Sequence, residues 1–450
     1  MHIHLIAVGG AVMHNLALAL HLNGNKVTGS DDEIYNPAHE RLAKVGILPE
    51  KIGWFPEKIT ANLDCIILGM HARADNPELL KAQALGLKIY SFPEYIYEHS
   101  KNKTRVVIAG SHGKTTTTSM IMHVLKNVGV DFDYLVGAQL EGFDNMVRLS
   151  DAPIIIIEGD EYLSSPIDRV PKIWHYHPHI AVITGIAWDH ANVFTTFKSY
   201  VNAFSEFIKT IKPTGKLFYA ENDKELSDIA KQSKCYQKSY APFKNVLKDE
   251  VNYIYVTPTI LAQVSVFGRH NLANMKAAWL VCKELKISAH DFFYKSIGSF
   301  KGASKRLQTL HETKNNIAFL DFAHAPSKVR ATVDAVKNRY PSRKLVACLE
   351  LHTFSSLNKE FLPQYKNTLS EADIAVVFFN EHTLEMKKMP PLNADEMKSF
   401  FGLKNLLVFT NKTDLDLFLK QLDFTDTNLL LMTSGNFMGL DLKSVSQLVG

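Results

Sequence analysis

Long apolar runs are missing from this chain: no stretch of the 450 residues approaches about 18 uninterrupted apolar positions, so a membrane-crossing helix is not expected. The opening Met1-His2-Ile3-His4-Leu5-Ile6-Ala7-Val8 lacks the charged head and extended apolar stretch of a secretory leader. Cysteine is scarce. Cys65, Cys235, Cys282 and Cys348 sit far apart with no Cys-x-x-Cys spacing, which argues against a disulfide framework or a zinc knuckle and fits a reducing compartment. The formal net charge is only +4, and no run of Lys or Arg is long enough to track a phosphate backbone. Internal repeats and low-complexity tracts are absent as well. These absences predict a soluble, cytoplasmic protein with neither a membrane nor a nucleic-acid partner.

What is there is globular. Apolar residues make up 46% and charged residues 21%, which excludes extended disorder. The length suggests about three units of roughly 150 residues. Short apolar runs alternate with longer segments at helical spacing: Leu5 to Val8, Cys65 to Leu68, Val106 to Ala109, Ile154 to Ile157 and Ala181 to Ile183. Runs this short and this apolar suit strands buried on both faces, as in parallel sheets with crossover helices, so the fold class is α/β. The pattern restarts near residue 308 with Ile317 to Leu320, Leu345 to Leu349, Ile374 to Phe379 and Leu429 to Met432. Polar stretches at Lys101–Arg105 and at Gln308–Asn316 mark the linkers, giving domains at 1–103, 104–308 and 309–450.

The strongest chemical signal is Gly110-Ser111-His112-Gly113-Lys114-Thr115-Thr116-Thr117-Thr118, directly after the run Val106 to Ala109 and before a helix expected to reach about Lys126. Glycines let backbone N–H groups approach phosphate oxygens and a helix N-terminus adds partial positive charge. Lys114 then reaches the terminal phosphates and Thr115 can ligate Mg²⁺. The usual G-x-x-x-x-G-K-[ST] spacing would need Gly where Ile108 stands. Glu158 closes a run of four isoleucines, which places it at a strand end where a carboxylate can meet a phosphate-bound Mg²⁺, although a strand-end Glu alone would more often be a cap or a solvated edge residue. The N-terminal Gly9-Gly10 pair lacks the third glycine of a G-x-G-x-x-G dinucleotide fingerprint, so nicotinamide binding is not expected.

The compressed Gly-x-His-Gly-Lys-Thr-Thr-Thr loop resembles the ATP loop of the Mur ligases. The resemblance continues in order through Glu158-Gly159-Asp160-Glu161, Asp189-His190, Gly268-Arg269-His270-Asn271-Leu272-Ala273-Asn274 and Asp321-Phe322-Ala323-His324-Ala325-Pro326. It implies a Rossmann-like N-terminal domain, a central P-loop ATPase domain with a mainly parallel sheet, and a Rossmann-like C-terminal domain. It also implies ATP as co-substrate, bound by Gly110, Ser111, His112, Gly113, Lys114, Thr115, Thr116, His270, Asn271, Asn274, Arg306 and Asp321. Mg²⁺ would be held by Thr115, Glu158 and His190, with Lys114, Glu158, His190 and Arg306 catalytic. Two asparagine amides offer the donor and acceptor pair of an adenine edge, while Asn271 could instead cap a helix over Ala273 to Leu280.

Within the family, the N-terminal loop favours the branch whose acceptor is UDP-N-acetylmuramate, with Gly9, Gly10, Ser30 and Asp31 at the UDP-sugar. Asn76-Pro77, Pro171 to Pro178 and Trp188-Asp189-His190-Ala191-Asn192-Val193-Phe194 resemble members that add the murein tripeptide L-alanyl-γ-D-glutamyl-meso-diaminopimelate, with L-alanine the alternative amine. His352, Thr353, Ser355 and Asn436, in loops after two C-terminal strands, are the candidates for the amine substrate, against the reading of ordinary turns. A monomer or weak homo-oligomer is expected.

Overall fold

The computed structural model describes residues 1–190, 193–249, 251–303 and 305–450, so Ala191 and Asn192 of the segment Trp188–Phe194 lie outside the described residues. The chain gathers into two compact units, one of 1–186, 201–241 and 276–297, the other of 187–200, 242–275 and 298–450. Among the described residues no helix is long and apolar enough to cross a membrane. All four cysteines are buried and free.

The first unit holds two sheets. Strands β1 (His2–Ile6), β2 (Lys26–Ser30), β3 (Cys65–Leu68) and β4 (Ile89–Ser91) form a parallel sheet in the order 2-1-3-4. The second sheet contains β5 (Thr104–Ala109), β6 (Asp133–Leu135), β7 (Val147–Arg148), β8 (Ile154–Glu158), β9 (Ile180–Ile183), β10 (Lys216–Ala220) and β11 (Tyr236–Tyr240), in the order 11-10-9-5-8-6-7. Only β7 runs antiparallel there. The apolar runs read from sequence are the inner strands, because a strand covered on both faces has no place for alternating polar residues. In both sheets the chain reverses its direction of strand addition beside β1 and β5, which opens a crevice at their carboxyl ends.

The second unit contains a small antiparallel sheet of β12 (Asn245–Lys248), β13 (Val251–Tyr255) and β14 (Leu261–Val264). Its larger sheet comprises β15 (Gln308–Glu312), β16 (Ile317–Asp321), β17 (Lys344–Glu350), β18 (Ile374–Phe378), β19 (Leu407–Phe409) and β20 (Thr427–Met432), ordered 15-16-20-17-18-19. Alternate residues of this sheet feed two cores: Phe319, Ala347 and Leu349 on one face, and Leu320, Val346 and Cys348 on the other. The α/β architecture with three main sheets agrees with the sequence expectation. The polar run Gln308–Asn316 is not a plain linker, however: its first five residues pair antiparallel with β16 as a mostly exposed edge strand. An edge strand with one wet face carries the polar residues that made it read as a loop.

Arg105 corrects the other expected linker. The residue is 1% exposed, and its guanidinium donates to the carbonyls of Tyr176 (2.8 Å), Ser100 (2.6 Å), Lys101 (3.0 Å) and His177 (3.1 Å). One buried cation therefore pins the end of the helix Phe92–Ser100 and the 176–177 turn to β5. Removing it strands several buried carbonyls. Arg105→Ala is expected to lower the unfolding free energy by about 3 kcal/mol or more in urea titrations; a loss below about 1 kcal/mol would contradict this role.

Candidate functional site

The loop after β5 sits at the reversal point of the central sheet, between the carboxyl ends of β8 and β9. Gly110 has φ +122°, and a Cβ there would lie 2.4 Å from Thr184 Oγ1 and 2.8 Å from Thr184 N, so only glycine fits. Ser111 N–H donates to Gly185 O at 2.9 Å, and the Thr184 hydroxyl donates to the His112 carbonyl. Gly113, at φ +74°, turns the chain into the helix Lys114–Asn127. Threonines 115 to 118 are weak helix formers, but all four are buried, so packing rather than propensity holds this first turn.

Lys114 Nζ donates to Gly110 O (2.6 Å) and to Glu161 Oε2 (2.7 Å), and Glu161 is itself 1% exposed. Burial works against the ammonium charge, but the carboxylates of Glu161, Asp160 and Glu158 outweigh it and hold the Lys114 pKa above its ordinary value. The lysine is thus kept charged and pinned over the loop that begins at Gly110. Thr115 Oγ1 donates to Glu158 Oε1 at 2.7 Å, and Gly137 N–H donates to Glu158 Oε2 at 2.8 Å. Two hard oxygen donors converging at the mouth of a phosphate loop fit a Mg²⁺ shared with phosphate oxygens.

The N-terminal sheet carries its own crevice, a cavity of about 950 Å³ lined by Gly9, Gly10, His14, Asn15, Asp31, Arg41, His71, Gln139, Asp144 and Met146 among others. Gly10 precedes the helix Ala11–Leu22. Gly9 N–H donates to Asp31 Oδ2 at 2.6 Å, and a Cβ at Gly9 would lie 2.7 Å from the Glu33 carbonyl. Ser30 does not line this cavity: it is fully buried at the end of β2, on the side of Glu78. Glu78 is fully buried too, paired with His4 Nε2 at 3.2 Å and accepting the Phe55 N–H at 2.7 Å.

In the second unit, His190 adopts φ +53° and its N–H donates to Asp189 Oδ1 (2.8 Å). Burial would raise the Asp189 carboxyl, but Lys328, 3.3 Å away, together with His190 and His324 holds it well below the usual carboxylate range. The helix Arg269–Glu284 begins two residues before Asn271, so Asn271 is not a cap; its side-chain amide donates back to Phe267 O at 3.0 Å. Asn274 is 6% exposed on the same helix. Burial lowers the pKa of His270 to about 4, which leaves it neutral near pH 7. Arg306 lies between two left-handed residues, Lys305 (φ +52°) and Leu307 (φ +47°), with its guanidinium 4.8 Å from the Phe322 ring centroid. Asp321 accepts the Leu307 and Ala323 N–H groups, both at 2.7 Å, so its carboxylate organises the strained segment that presents Arg306.

The amine candidates are only partly brought together. Thr353 caps the short helix Phe354–Leu357 in reciprocal bonds with Ser356, and Asn436 Oδ1 accepts Gly439 N–H at 3.2 Å; these are the bonds that ordinary turns make. Ser355 is 7% exposed, while His352 packs against Gly435 across the ends of β17 and β20. Glu350, unassigned from sequence, ties those two ends by accepting the Phe437 N–H (3.0 Å) and the Thr433 hydroxyl. Glu161 was within a recognised motif and could have been found as the partner of Lys114. Arg41, Asn15, Gly137 and Thr184 carry no local signal.

Burial pushes the Asp31 carboxyl up to about 6 against the pull of the Gly9 N–H, and Asp32 adds to the rise. Because the folded state then binds a proton that the unfolded chain has released between about pH 4 and 6, stability falls as pH rises through that window. Wild type is expected to lose about 1–2 kcal/mol relative to Asp31→Asn between pH 4.5 and 6.5 in denaturant titrations, the full linkage being reduced by solvent screening. Parallel pH profiles for the two proteins would contradict it.

Against known proteins, residues 2–104 match the family model described as Mur ligase family, catalytic domain, and residues 108–282 match the Mur ligase middle domain. A UDP-N-acetylmuramate–L-alanine ligase of Clostridium kluyveri is 32% identical over 381 residues, 81% of each chain. A UDP-N-acetylmuramate-alanine ligase from Thermotoga maritima shares the fold at TM-score 0.69 and 20% identity, covering 100% of this chain and 98% of its own. A UDP-N-acetylmuramate:L-alanyl-gamma-D-glutamyl-meso-diaminopimelate ligase from Neisseria meningitides matches at TM-score 0.61 and 25% identity, over 67% of this chain and 98% of its own. With two family models spanning most of residues 2–282 in series and a relative this similar over four-fifths of its length, the chain belongs to the Mur ligase family.

Proposed function

We propose that this ligase joins the carboxylate of UDP-N-acetylmuramate to an amine, using ATP. Its family makes it an ATP-dependent carboxylate–amine ligase of peptidoglycan metabolism. The observation that supports the acceptor is the cavity of about 950 Å³ at the reversal point of the N-terminal sheet, a size and place suited to a sugar nucleotide. Gly9 and Gly10 would face the diphosphate and Asp31 the nucleoside. Clostridial relatives 31–33% identical are UDP-N-acetylmuramate–L-alanine ligases and support L-alanine as the amine better than the tripeptide expected from the sequence motifs. The tripeptide is the second reading, favoured by the 25% identical Neisseria enzyme and by the segments Pro171–Pro178 and Trp188–Phe194.

The chemistry balances in two steps. A carboxylate oxygen of the acceptor attacks the γ-phosphorus of ATP, ADP leaves, and an acyl phosphate remains. The amine then attacks the acyl carbon, loses a proton, and expels phosphate. Lys114 is placed to neutralise charge on the transferring phosphoryl group, and Arg306 would add a second cation, so the enzyme acts through positioning and electrostatics. Thr115 and Glu158, with His190 as a further ligand, would hold Mg²⁺, which when bound neutralises phosphate charge. His270, Asn271 and Asn274 would take the adenine. His352 and Ser355 stand as candidates on the amine side, with Thr353 and Asn436 shaping the two loops that carry them.

Lys114→Ala is expected to reduce kcat by about 10³-fold or more while leaving the unfolding transition in place, because the lost charge acts on phosphate; unchanged turnover would remove the nucleotide site from this reading. With ATP, Mg²⁺ and UDP-N-acetylmuramate, the catalytic efficiency for L-alanine is expected to exceed that for L-alanyl-γ-D-glutamyl-meso-diaminopimelate. A clear preference for the tripeptide would overturn L-alanine and install the second reading.

A further inference from the structure

One loop, residues 136–146, runs from the Glu158 carboxylate to the wall of the N-terminal cavity. Val136 N–H donates to Met146 O at 2.9 Å and closes its neck, and the next residue, Gly137, holds Glu158 Oε2 at 2.8 Å. On the other strand of the same neck, Met146 N–H donates to Asn15 Oδ1 at 3.0 Å. Arg41 completes the clamp: its guanidinium donates to Asn15 Oδ1 (2.9 Å), to Asp144 O (2.9 Å) and to Asn145 Oδ1. Arg41, Asn15, Asp144 and Met146 all line the cavity.

Between its ends the loop is packed on itself. The Gln139 amide donates to Phe143 O, Phe143 N–H to Leu140 O (3.2 Å), and Lys126 Nζ reaches Gly142 O at 2.6 Å. The Phe143 ring meets Tyr134 edge-on at 5.2 Å. Compact loops with close ends, packed by their own side chains, are frequently functional. The described partners of Arg41 here are three amide oxygens and, at 3.4 Å, the His14 ring Nε2, none of them a carboxylate, so an anionic ligand beside Gly9 and Gly10 would form stronger, charge-assisted bonds with the guanidinium and draw it over.

We propose that a ligand in the N-terminal cavity orients Glu158 through the loop 136–146, with Arg41 and Asn15 as positioning residues, so that the anionic sugar nucleotide and the Mg²⁺–nucleotide bind cooperatively. This rests on the reading of Glu158 as a metal ligand and of the cavity as the sugar-nucleotide site. Reciprocity requires each ligand to tighten the other by the same factor. The test is calorimetric titration of Mg²⁺ with a non-hydrolysable ATP analogue into the protein, with and without saturating UDP-N-acetylmuramate. Wild type should bind the Mg²⁺–nucleotide about 5-fold tighter or more when UDP-N-acetylmuramate is present. Lys126→Met, at a residue that does not line the cavity, should bind it as wild type does without the sugar nucleotide and lose most of the tightening with it; Arg41→Ala, at a residue that also faces the sugar nucleotide, should lose the tightening too. Full coupling retained in both variants, or no coupling in wild type that binds both ligands, would overturn the link alone. Failure of wild type to bind UDP-N-acetylmuramate at all would overturn the proposed function and the link with it.

Discussion

The Glu158 carboxylate, held between the Thr115 hydroxyl and the Gly137 amide, is the contact on which the rest of the first unit's site depends. It joins three pieces far apart in sequence: the phosphate loop, the end of β8, and the loop that reaches the N-terminal cavity. Space around it is short. A Cβ on Gly137 would lie 2.9 Å from Glu158 Oε1, and one on Gly110 would collide with Thr184. Glycine at these places lets backbone and carboxylate approach closely, the arrangement that the proposed phosphate and metal would use.

The same constraint recurs in each main sheet. Where strand order reverses, carboxyl-terminal loops part and leave room for a ligand. Beside β1 this room is a cavity walled by Gly9, Gly10, Asp31 and His71; beside β5 it is the space over the loop Gly110–Lys114. In the C-terminal sheet, β20 inserts between β16 and β17, and Glu350 ties the ends of β17 and β20 through Thr433 and Phe437. The fold thus supplies similar openings, and local side chains give each a different chemistry.

Buried parallel strands were legible because they need continuous apolar runs, and the turn from β5 into the helix Lys114–Asn127 because its glycines stand directly after such a run. Polar strands were not. Strands β13 and β14 alternate buried with more exposed residues, and β12 and the edge strand β15 bury none of their residues fully, so over four or five positions each resembles a loop in composition. Arg105 read as part of a charged linker because nothing nearby announces the Tyr176 and His177 carbonyls that receive it. Arg41 meets Asn145, 104 positions away, for the same reason. Glu158 stood at the strand end its isoleucine run implied, whereas Ser30, one residue from a cavity-lining Asp31, points into the core because successive strand residues face opposite ways. Asn271 shows the limit of cap reading: the helix started earlier, and the amide turned back to Phe267.

The most direct test of the central claim, transfer of a phosphoryl group to the carboxylate before amide formation, is an oxygen-tracing experiment. UDP-N-acetylmuramate labelled with ¹⁸O in its carboxylate is turned over with ATP, Mg²⁺ and the accepted amine, and the released phosphate is analysed by mass spectrometry. The acyl-phosphate route carries one labelled oxygen from carboxylate to phosphate in each turnover. Phosphate released without label, alongside labelled amide, would contradict it.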